Sequence, residues 1–451
     1  MGKSSVIYVL GLSIIIGIAL FNSNQASIDS LDTFAMYYGQ TMAHNIALAG
    51  ANIATNKILF NASFSSAFAD SFADGFFSVT FDSTAPMSKT LIVQSAYRSG
   101  VKLGISGDYV MRDTIRAEFL YVLFSRYGWF TDIENNGYLD TNGLPGPYYG
   151  ANDFKITGDS VFGYAHTNAH FNLGGRPYFH KKATATNAPH RTSVAGVDDP
   201  IFNEGYEWGR TLTRDTANMI ALRSVKNQGS LLSPSILKDK DVGIHFFADG
   251  TARVVVPWNP GGVPWGTTGA TVDTTVAVTA LSSSNVIGVE GGDLHVKGTY
   301  KGQVTLVALK GSSGAGTNKG NIWIAGDIKA ATNPRTNPGS TDMLGLVAER
   351  MGYISKDMTR TPASVLEIQA AIYCHSGEFT AEDFWTLPIQ GRVSLFGSLC
   401  QKTAGSLGVF SGGGLTHGLY YSIHHDERFL SKGPPSFPFS TKYRLVSWWE
   451  N

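Results

Sequence analysis

The chain of 451 residues is too long for one small domain, and its length favours two or three domains. It has 35 basic and 35 acidic residues, so its net charge is zero. This balance disfavours a nucleic-acid partner, because phosphate binding needs concentrated positive charge. The two cysteines exclude a disulfide framework and a four-cysteine zinc site.

The N-terminus begins with an uncharged apolar run from Val6 to Phe21, preceded by Lys3 and followed by no charge until Asp29. A membrane-spanning helix needs about 20 apolar residues. The run therefore predicts a helix that anchors the chain in a membrane. The positions expected in the lipid are Val6, Ile7, Leu10, Ile14, Ile15, Ile16, Ile18, Leu20 and Phe21.

A cleaved secretory signal is the alternative, with Asn24 and Ala26 at the two recognition positions, where Asn24 fits poorly. The following residues favour an uncleaved helix, because apolar side chains recur at steps of three or four and form one stripe. We predict a helix from about Ser4 to Ile58, about 80 Å long at 1.5 Å per residue. The stripe consists of Ile28, Leu31, Phe34, Ala35, Tyr38, Met42, Ile46, Ala49 and Ile53.

A very short leader ending in Gly2, an immediate apolar helix and its amphipathic continuation resemble the type IV pilin superfamily, including PilX-like minor pilins. The resemblance implies cleavage after Gly2 by a prepilin peptidase and packing of the apolar half with other pilin-like subunits in a filament. Major pilins carry Glu at the fifth mature position, where this cleavage would place Ile7. Some minor pilins and PilX-like proteins also lack that Glu. The alternative is a plain signal anchor.

Residues 75–125 are predicted to form strands, because FFSVTF, TLIVQSAYRSG and IRAEFLYVLF are rich in β-branched and aromatic residues. The helix stripe is expected to pack on this sheet. The predicted fold class is α+β. A membrane or filament helix spans 1–58, a small antiparallel sheet 59–128, and a large β-rich region 129–451.

A short pattern recurs within 129–451, in which two alternating apolar residues precede a Gly and a third apolar residue. Such alternation places one face inward, and Gly permits a bend into the next strand. The repetition predicts stacked rungs, as in a β-helix or β-roll, while its irregular spacing leaves a β-sandwich as the alternative. The copies are Leu294-Val296-Gly298-Tyr300, Ile322-Ile324-Gly326-Ile328 and Val393-Leu395-Gly397-Leu399, with a looser one at Ile372-Cys374-Gly377-Phe379.

Three segments of this region resemble a bacterial domain family of unknown function that often follows PilX-like N-termini. They contain GYAHTNAHFNLGG, GTYKGQVTLVAL and FGSLCQKTAG, and they lie within residues 158–184, 292–349 and 370–429. The family has no assigned chemistry, so the resemblance implies no catalytic residue.

The sequence DIENNGYLDTNG resembles a calcium loop in the spacing of its oxygen ligands, Asp132, Glu134, Asn136 and Asp140. A Gly stands where that loop needs its bidentate Glu, at position 143. A weaker extracellular calcium loop is one interpretation. The other is a pair of Asn-Gly turns.

Two histidine pairs are candidate metal ligands. His166 and His170 would share a face of a strand, but no third ligand stands nearby, so hydrogen bonding within a turn is the preferred interpretation. His424 and His425 would point to opposite faces of a strand and could not share an ion.

Two further pairs bear on structure rather than chemistry. Asp426 and Arg428 are expected to form an ion pair or turn. Cys374 falls in phase with the inward positions of its repeat and Cys400 does not, which argues against a disulfide.

These patterns favour a non-catalytic extracytoplasmic structural protein without a cofactor, a minor pilin or pilus-assembly component held in the cell membrane. Its expected partners are the membrane and other pilin-like subunits or envelope proteins, and no nucleic acid. One alternative is a membrane-anchored adhesin or glycan-binding protein. Another is a β-helical polysaccharide-degrading enzyme, which would need clustered carboxylates. The acidic groups are Glu378, Glu382 and Asp383, and Asp426 and Glu427.

Overall fold

A computed structural model describes residues 2–61, 64–82, 88–99, 109–134, 155–156, 159–191, 199–232, 234–262, 265–312, 314–356, 360–411 and 414–450. The chain divides into two compact units. The helix–sheet unit comprises Met1–Val122 and Thr441–Asn451, and the body comprises Leu123–Ser440.

The helix–sheet unit begins with one long helix, which confirms the expected N-terminal element. Neighbouring strands after it pair antiparallel, in the part of the chain where strands were predicted. The elements are α1 (Gly2–Phe60), β1 (Phe68–Phe72), β2 (Gly75–Asp82), β3 (Ser88–Ser99) and β4 (Tyr109–Leu123).

The body is rich in short strands. Its first ten are β5 (Tyr127–Ile133), β6 (Lys155–Ile156), β7 (Ser160–Phe162), β8 (Tyr164–Thr167), β9 (Asn172–Gly174), β10 (Tyr178–Phe179), β11 (Ala183–Ala185), β12 (His190–Arg191), β13 (Ile201–Phe202) and β14 (Tyr206–Trp208). Two helices follow, α2 (Ala217–Val225) and α3 (Pro234–Leu237).

The remaining elements of the body contain the repeated pattern. They are β15 (Val242–Phe246), β16 (Thr251–Val256), β17 (Val272–Ala277), α4 (Val278–Leu281), β18 (Val286–Glu290), β19 (Leu294–Tyr300), β20 (Gln303–Leu309), β21 (Ile322–Ala330), β22 (Met343–Ala348), β23 (Gly352–Ile354), β24 (Val365–Cys374), β25 (Phe379–Ala381), β26 (Ile389–Thr403), β27 (Gly408–Ser411) and β28 (Gly414–His425). The last strand, β29 (Phe439–Glu450), joins the first sheet in the order β1-β2-β3-β4-β29.

Small side chains let α1 approach β2 and β3 closely. Ala43, Ala47, Ala51 and Ala54 are fully buried in the core of the unit. A Cβ on Gly50 would lie 2.6 Å from the Phe77 ring, so any larger residue there would force that ring to shift.

Most strands of the body pair in parallel, each in register with a strand far along the chain. In one column Ile368 pairs with Leu395, Leu395 with Ile423, and Ile423 with Val161. All four are buried in one hydrophobic core. The inward positions of the repeat copies lie in the same core, as their alternation predicted.

The order of strands in this stack differs from their order in the chain. β26 pairs with both β24 and β5, and β28 pairs with β7. Strands β7, β8, β10, β11, β13 and β14 therefore extend the same sheet beyond β28, although they precede it in sequence, while β6, β9 and β12 form a separate three-stranded sheet. The other end begins at β15 and is covered by the antiparallel strands β16 and β17.

Residues 209–241, the return segment, connect β14 with β15 and bond to strands along the way. The Arg214 side chain, 3% exposed, contacts the Asp132 carboxylate at 2.7 Å and donates to the carbonyls of Cys374 and His375. Further on, Asn227 exchanges two hydrogen bonds with the backbone of Gly288. The segment thus satisfies backbone groups at both ends of its course.

Candidate functional site

The apolar run at the start of α1 is uncovered within the described residues. Every position expected in the lipid is about half exposed or more, from 49% at Ile16 to 72% at Ile7. No charged residue occurs from Ser4 to Ile28, which is about 37 Å of helix and exceeds a hydrocarbon core of about 30 Å. Among described residues, this helix alone is long and apolar enough to span a membrane.

The first part of the stripe that was expected to pack on the sheet is exposed instead. Phe34 is 66% exposed and Leu31 51%, so this part of the prediction was wrong, while Ile46 is buried as expected. The sheet instead contacts the face of glycines and alanines, because small residues allow the closer approach. The helix therefore has two apolar faces, and its own sheet covers the one with small residues.

Gly2, the expected processing site, is the first residue of α1. Lys3, Ser4 and Ser5 separate it from the exposed run that begins at Val6. Cleavage at this position stays a prediction.

The calcium candidates are only partly described. Asp132 accepts from Arg214 and, at 2.6 Å, from the amide of Asn168. Glu134 is buried and accepts from the Trp129 indole at 2.8 Å. Both carboxylates are thus engaged with the protein, whereas Asn136 and Asp140 lie outside the described residues.

The histidine candidates have structural partners. Both ring nitrogens of His166 are hydrogen-bonded, to Thr184 at 2.7 Å and to Asn168 at 3.0 Å. Burial lowers the pKa of His166 to about 4. His424 stacks on Phe162 with ring centroids 4.1 Å apart. In the part of the chain that the structure describes, no group of three His, Cys, Asp or Glu side chains could hold a metal.

Asp426 and Arg428 form the expected ion pair at 2.6 Å. Cys374 and Cys400 are both buried free thiols. Cys374 belongs to the inward core, as its phase predicted, and burial raises its pKa to about 12. A thiol held protonated in this way is a poor nucleophile.

A stack of rings on the outward face of the body was missed by sequence reasoning. His295, Trp323 and Tyr353 occupy paired positions on successive strands. Trp258, which follows β16, stacks on His295 with ring centroids 3.5 Å apart and covers Gly243, whose Cβ would lie 2.5 Å from the indole. Aligning LHV, IWI and GYI would have placed the three strand residues in one column.

A charged cluster lies beside these rings. The Lys319 amine is 2.8 Å from a carboxylate oxygen of Asp241 and 3.4 Å from one of Asp293. Asp293 is 4% exposed and also accepts from the Trp323 indole at 3.2 Å. Burial raises the pKa of Asp293, with Lys319 opposing it. Burial alone would lower the pKa of Lys319, but the two carboxylates outweigh it and the pKa is raised.

Comparison with protein-family models, with curated proteins and with solved structures finds no match to this chain.

Proposed function

We propose that the protein is a non-catalytic structural subunit of the cell envelope, a minor pilin or pilus-assembly component with an extracytoplasmic body. The first 28 residues anchor it in the membrane, and the rest of the exposed stripe on α1 packs against helices of other subunits. The observation that carries this proposal is that α1 has a second apolar face which its own sheet leaves uncovered.

The stripe extends past the length that a bilayer needs. Leu31 and Phe34 follow Asp29 in sequence and remain 51% and 66% exposed. Tyr38, which is 49% exposed, marks the end of the uncovered stripe, because its ring contacts Tyr97 of β3. Large apolar side chains exposed outside lipid are costly, and a helix with such a stripe is stabilised by packing against another helix. Packing between subunits would bury the stripe and hold neighbouring bodies at one side of the membrane.

We further infer that the body is a β-helix, since parallel in-register pairing over many short strands is what stacked rungs require. Two glycines support this. A Cβ on Gly298, whose φ is +106°, would lie 2.2 Å from the Phe246 carbonyl oxygen, and a Cβ on Gly397 would lie 1.9 Å from that of Ala370. At both positions the backbone of a neighbouring strand lies in close contact with the glycine, which is expected at bends between stacked strands.

Anchoring is tested by fractionation of cells that produce the full chain. We expect it in membranes or in sheared filaments. Recovery as a soluble secreted protein that begins near Ser27 would contradict both the anchor and the subunit role.

Packing between subunits is tested by disulfide formation in isolated membranes. Phe34→Cys places a thiol on the exposed stripe, and its neighbour Thr33→Cys places one on a more polar side of the same turn. The native thiols at Cys374 and Cys400 are fully buried and serve as the background. We expect oxidised dimers from Phe34→Cys at several times the yield from Thr33→Cys. Equal yields with normal membrane recovery would leave the anchor in place and contradict the packing.

A further inference from the structure

The cluster of Lys319, Asp241 and Asp293 has an arrangement that an ion pair alone does not need. Asp241 and Asp293 immediately precede β15 and β19, and Lys319 stands three residues before the start of β21. These three strands pair in succession. The Lys319 amine lies between the two carboxylates. A bond from Lys319 to Asp241 would therefore fasten the first strand of the stack to the third.

The Asp241 carboxyl group is held for attack by an amine. Its Oδ2 atom is 2.8 Å from the Lys319 nitrogen, and its Oδ1 atom accepts from the backbone N–H of Asp293 at 2.9 Å. Reacting groups held at such distances lose little entropy on reaction. A backbone N–H on the carboxyl oxygen is the donor that stabilises negative charge as a tetrahedral intermediate forms.

Asp293 is placed to move the protons. It is 3.4 Å from the Lys319 amine, almost inaccessible to solvent, and next to the Trp323 ring. Its Oδ1 atom accepts from the backbone N–H groups of Gly320 and Asn321 and from the Asn321 amide. The Oδ2 atom faces Lys319, and burial favours protonation of the carboxyl group, so Oδ2 can receive a proton from the ammonium group. Since the carboxylates also raise the pKa of Lys319, that transfer is the demanding step.

Other lysines in the body also lie between two carboxylates and provide a comparison. Lys329 is 2.9 Å from Asp327 and 3.2 Å from Glu367, but all three side chains are 40–45% exposed. In the Lys319 cluster the side chains of Lys319 and Asp241 are 36% and 25% exposed, and that of Asp293 is only 6% exposed. Water can keep the Lys329 group ionised, whereas the Lys319 group includes a carboxyl that is removed from water.

We propose that Lys319 and Asp241 form an intramolecular amide bond after folding, with Asp293 as the proton carrier. The Lys319 nitrogen bonds to Cγ of Asp241, and one carbon–oxygen bond of that carboxyl breaks. Of the three ammonium protons, one stays on the amide nitrogen and two leave with the Asp241 oxygen as water, transferred through Asp293. The reaction converts one ammonium and one carboxylate into a neutral amide plus water, and it needs no oxidant or cofactor.

The test is the mass of the full chain, purified from membranes in detergent and measured after denaturation. We expect the wild-type protein to be lighter by one water molecule and to yield a linked peptide that contains Lys319 and Asp241. Lys319→Arg, which keeps the positive charge, should restore the full mass, and so should Asp293→Asn. Lys329→Arg, at the exposed cluster, should leave the mass loss unchanged.

Full mass in the wild-type protein would overturn the proposal, and so would a water loss that persists in Lys319→Arg. The latter would assign the loss to another site, such as an Asp-Gly sequence. Equal strand content of the Lys319→Arg variant and the wild type by circular dichroism establishes that the variant folds. If Asp293→Asn does not fold, Lys319→Arg alone decides.

Discussion

The helix–sheet unit and the body bury their apolar side chains in different ways. In the helix–sheet unit, one face of the antiparallel sheet is covered by α1, whose buried residues include Ile46 and Ile58. In the body, columns of inward residues such as Ile368, Leu395 and Ile423 cover one another across parallel strands. The first core thus depends on a single long helix, and the second is formed by the strands themselves.

This difference predicts separate responses to loss of the helix. In the β-helix that we propose for the body, each strand is stabilised by the strands paired on either side of it. The sheet of the first unit, in contrast, would expose Phe77, Val93 and Ile115 to water without α1. Loss of the helix should therefore change the stability of the two units separately.

The largest effect is expected from removal of residues 1–60. The body should stay folded while β2, β3 and β4 unfold completely, because the apolar face of their sheet loses its cover. Hydrogen exchange measured by mass spectrometry should show rapid exchange in these strands and continued protection in β19, β21 and β26.

The matched control removes only residues 1–24. It keeps the buried part of α1, from Gly39 to Ile58, and should leave exchange in β2 to β4 unchanged. Protection of β3 in the shorter chain that lacks residues 1–60 would show that the sheet is stable without the helix and would remove the contrast between the units.

The local spacing of apolar residues was enough to predict the exposed helix and the inward positions of the strands. The alternation at Leu294 and Val296 indicated inward strand positions, and the run from Val6 to Phe21 indicated the exposed helix. The pairing of Val161 with Ile423 has no local signal, since it joins strands about 260 residues apart. The return segment was missed for the same reason.

Two other features, the face of α1 that packs on the sheet and the ring stack around His295, were not predicted from the types of side chain in the sequence. Counting large apolar residues placed the sheet against Leu31 and Phe34. The buried face instead combines Ile46 and Ile58 with glycine and alanine, which contribute little to such a count. The residues around His295 are aromatic and polar on an outward face, where alternation predicts exposure and says nothing of stacking. Asp241 and Lys319 meet only because the strands after them pair.

The second prediction tests whether stacking of strands stabilises the body. Gly397→Ala would place a Cβ 1.9 Å from the backbone oxygen of Ala370, which cannot move without disturbing β24. We expect the free energy of unfolding to fall by about 2–3 kcal/mol. Gly326→Ala is the control, because its Cβ would meet the Lys297 side chain at 3.2 Å and should change stability by about 0.5 kcal/mol or less.

Denaturant unfolding of the chain that lacks residues 1–60 measures both changes in the body alone. Equal, small effects of the two substitutions would mean that neither glycine lies at a close approach of two backbones. The β-helix would then lose its main support, and a β-sandwich would be preferred.

The third prediction concerns acid, which should affect the body before the helix–sheet unit. Only His44 of the chain's 11 histidines lies in the helix–sheet unit. In the body, burial lowers the pKa of His166 to about 4, below its value of about 6.5 in an unfolded chain. Protonation therefore favours unfolding. The stability that His166 contributes is complete above about pH 6.5 and is lost as the pH falls toward 4.

The expected loss from His166 alone is about 2 kcal/mol between pH 7 and pH 4.5, from 1.36 kcal/mol per pKa unit. Denaturant unfolding of the body at the two pH values measures it. His166→Gln cannot gain this proton, so its stability should fall less over the same range. The same pH dependence in the variant and the wild type would assign the acid sensitivity to other groups.

The smallest effect is expected at the contact of α1 with its sheet. Gly50→Ala improves helix propensity by about 1 kcal/mol, but its Cβ would lie 2.6 Å from the ring of Phe77 and 3.0 Å from Val93. Phe77 is 1% exposed, so its ring has no free space to enter, and overpacking of this kind costs about 1–3 kcal/mol. The net result should be a loss of about 1 kcal/mol that is confined to the helix–sheet unit.

Gly17→Ala, with no atom within 4 Å, should leave exchange in β2 and β3 unchanged. Faster exchange in these strands for Gly50→Ala, with the body unaffected, would support close packing through small residues. Slower exchange would mean that helix propensity outweighs the contact and that α1 can move away from the sheet.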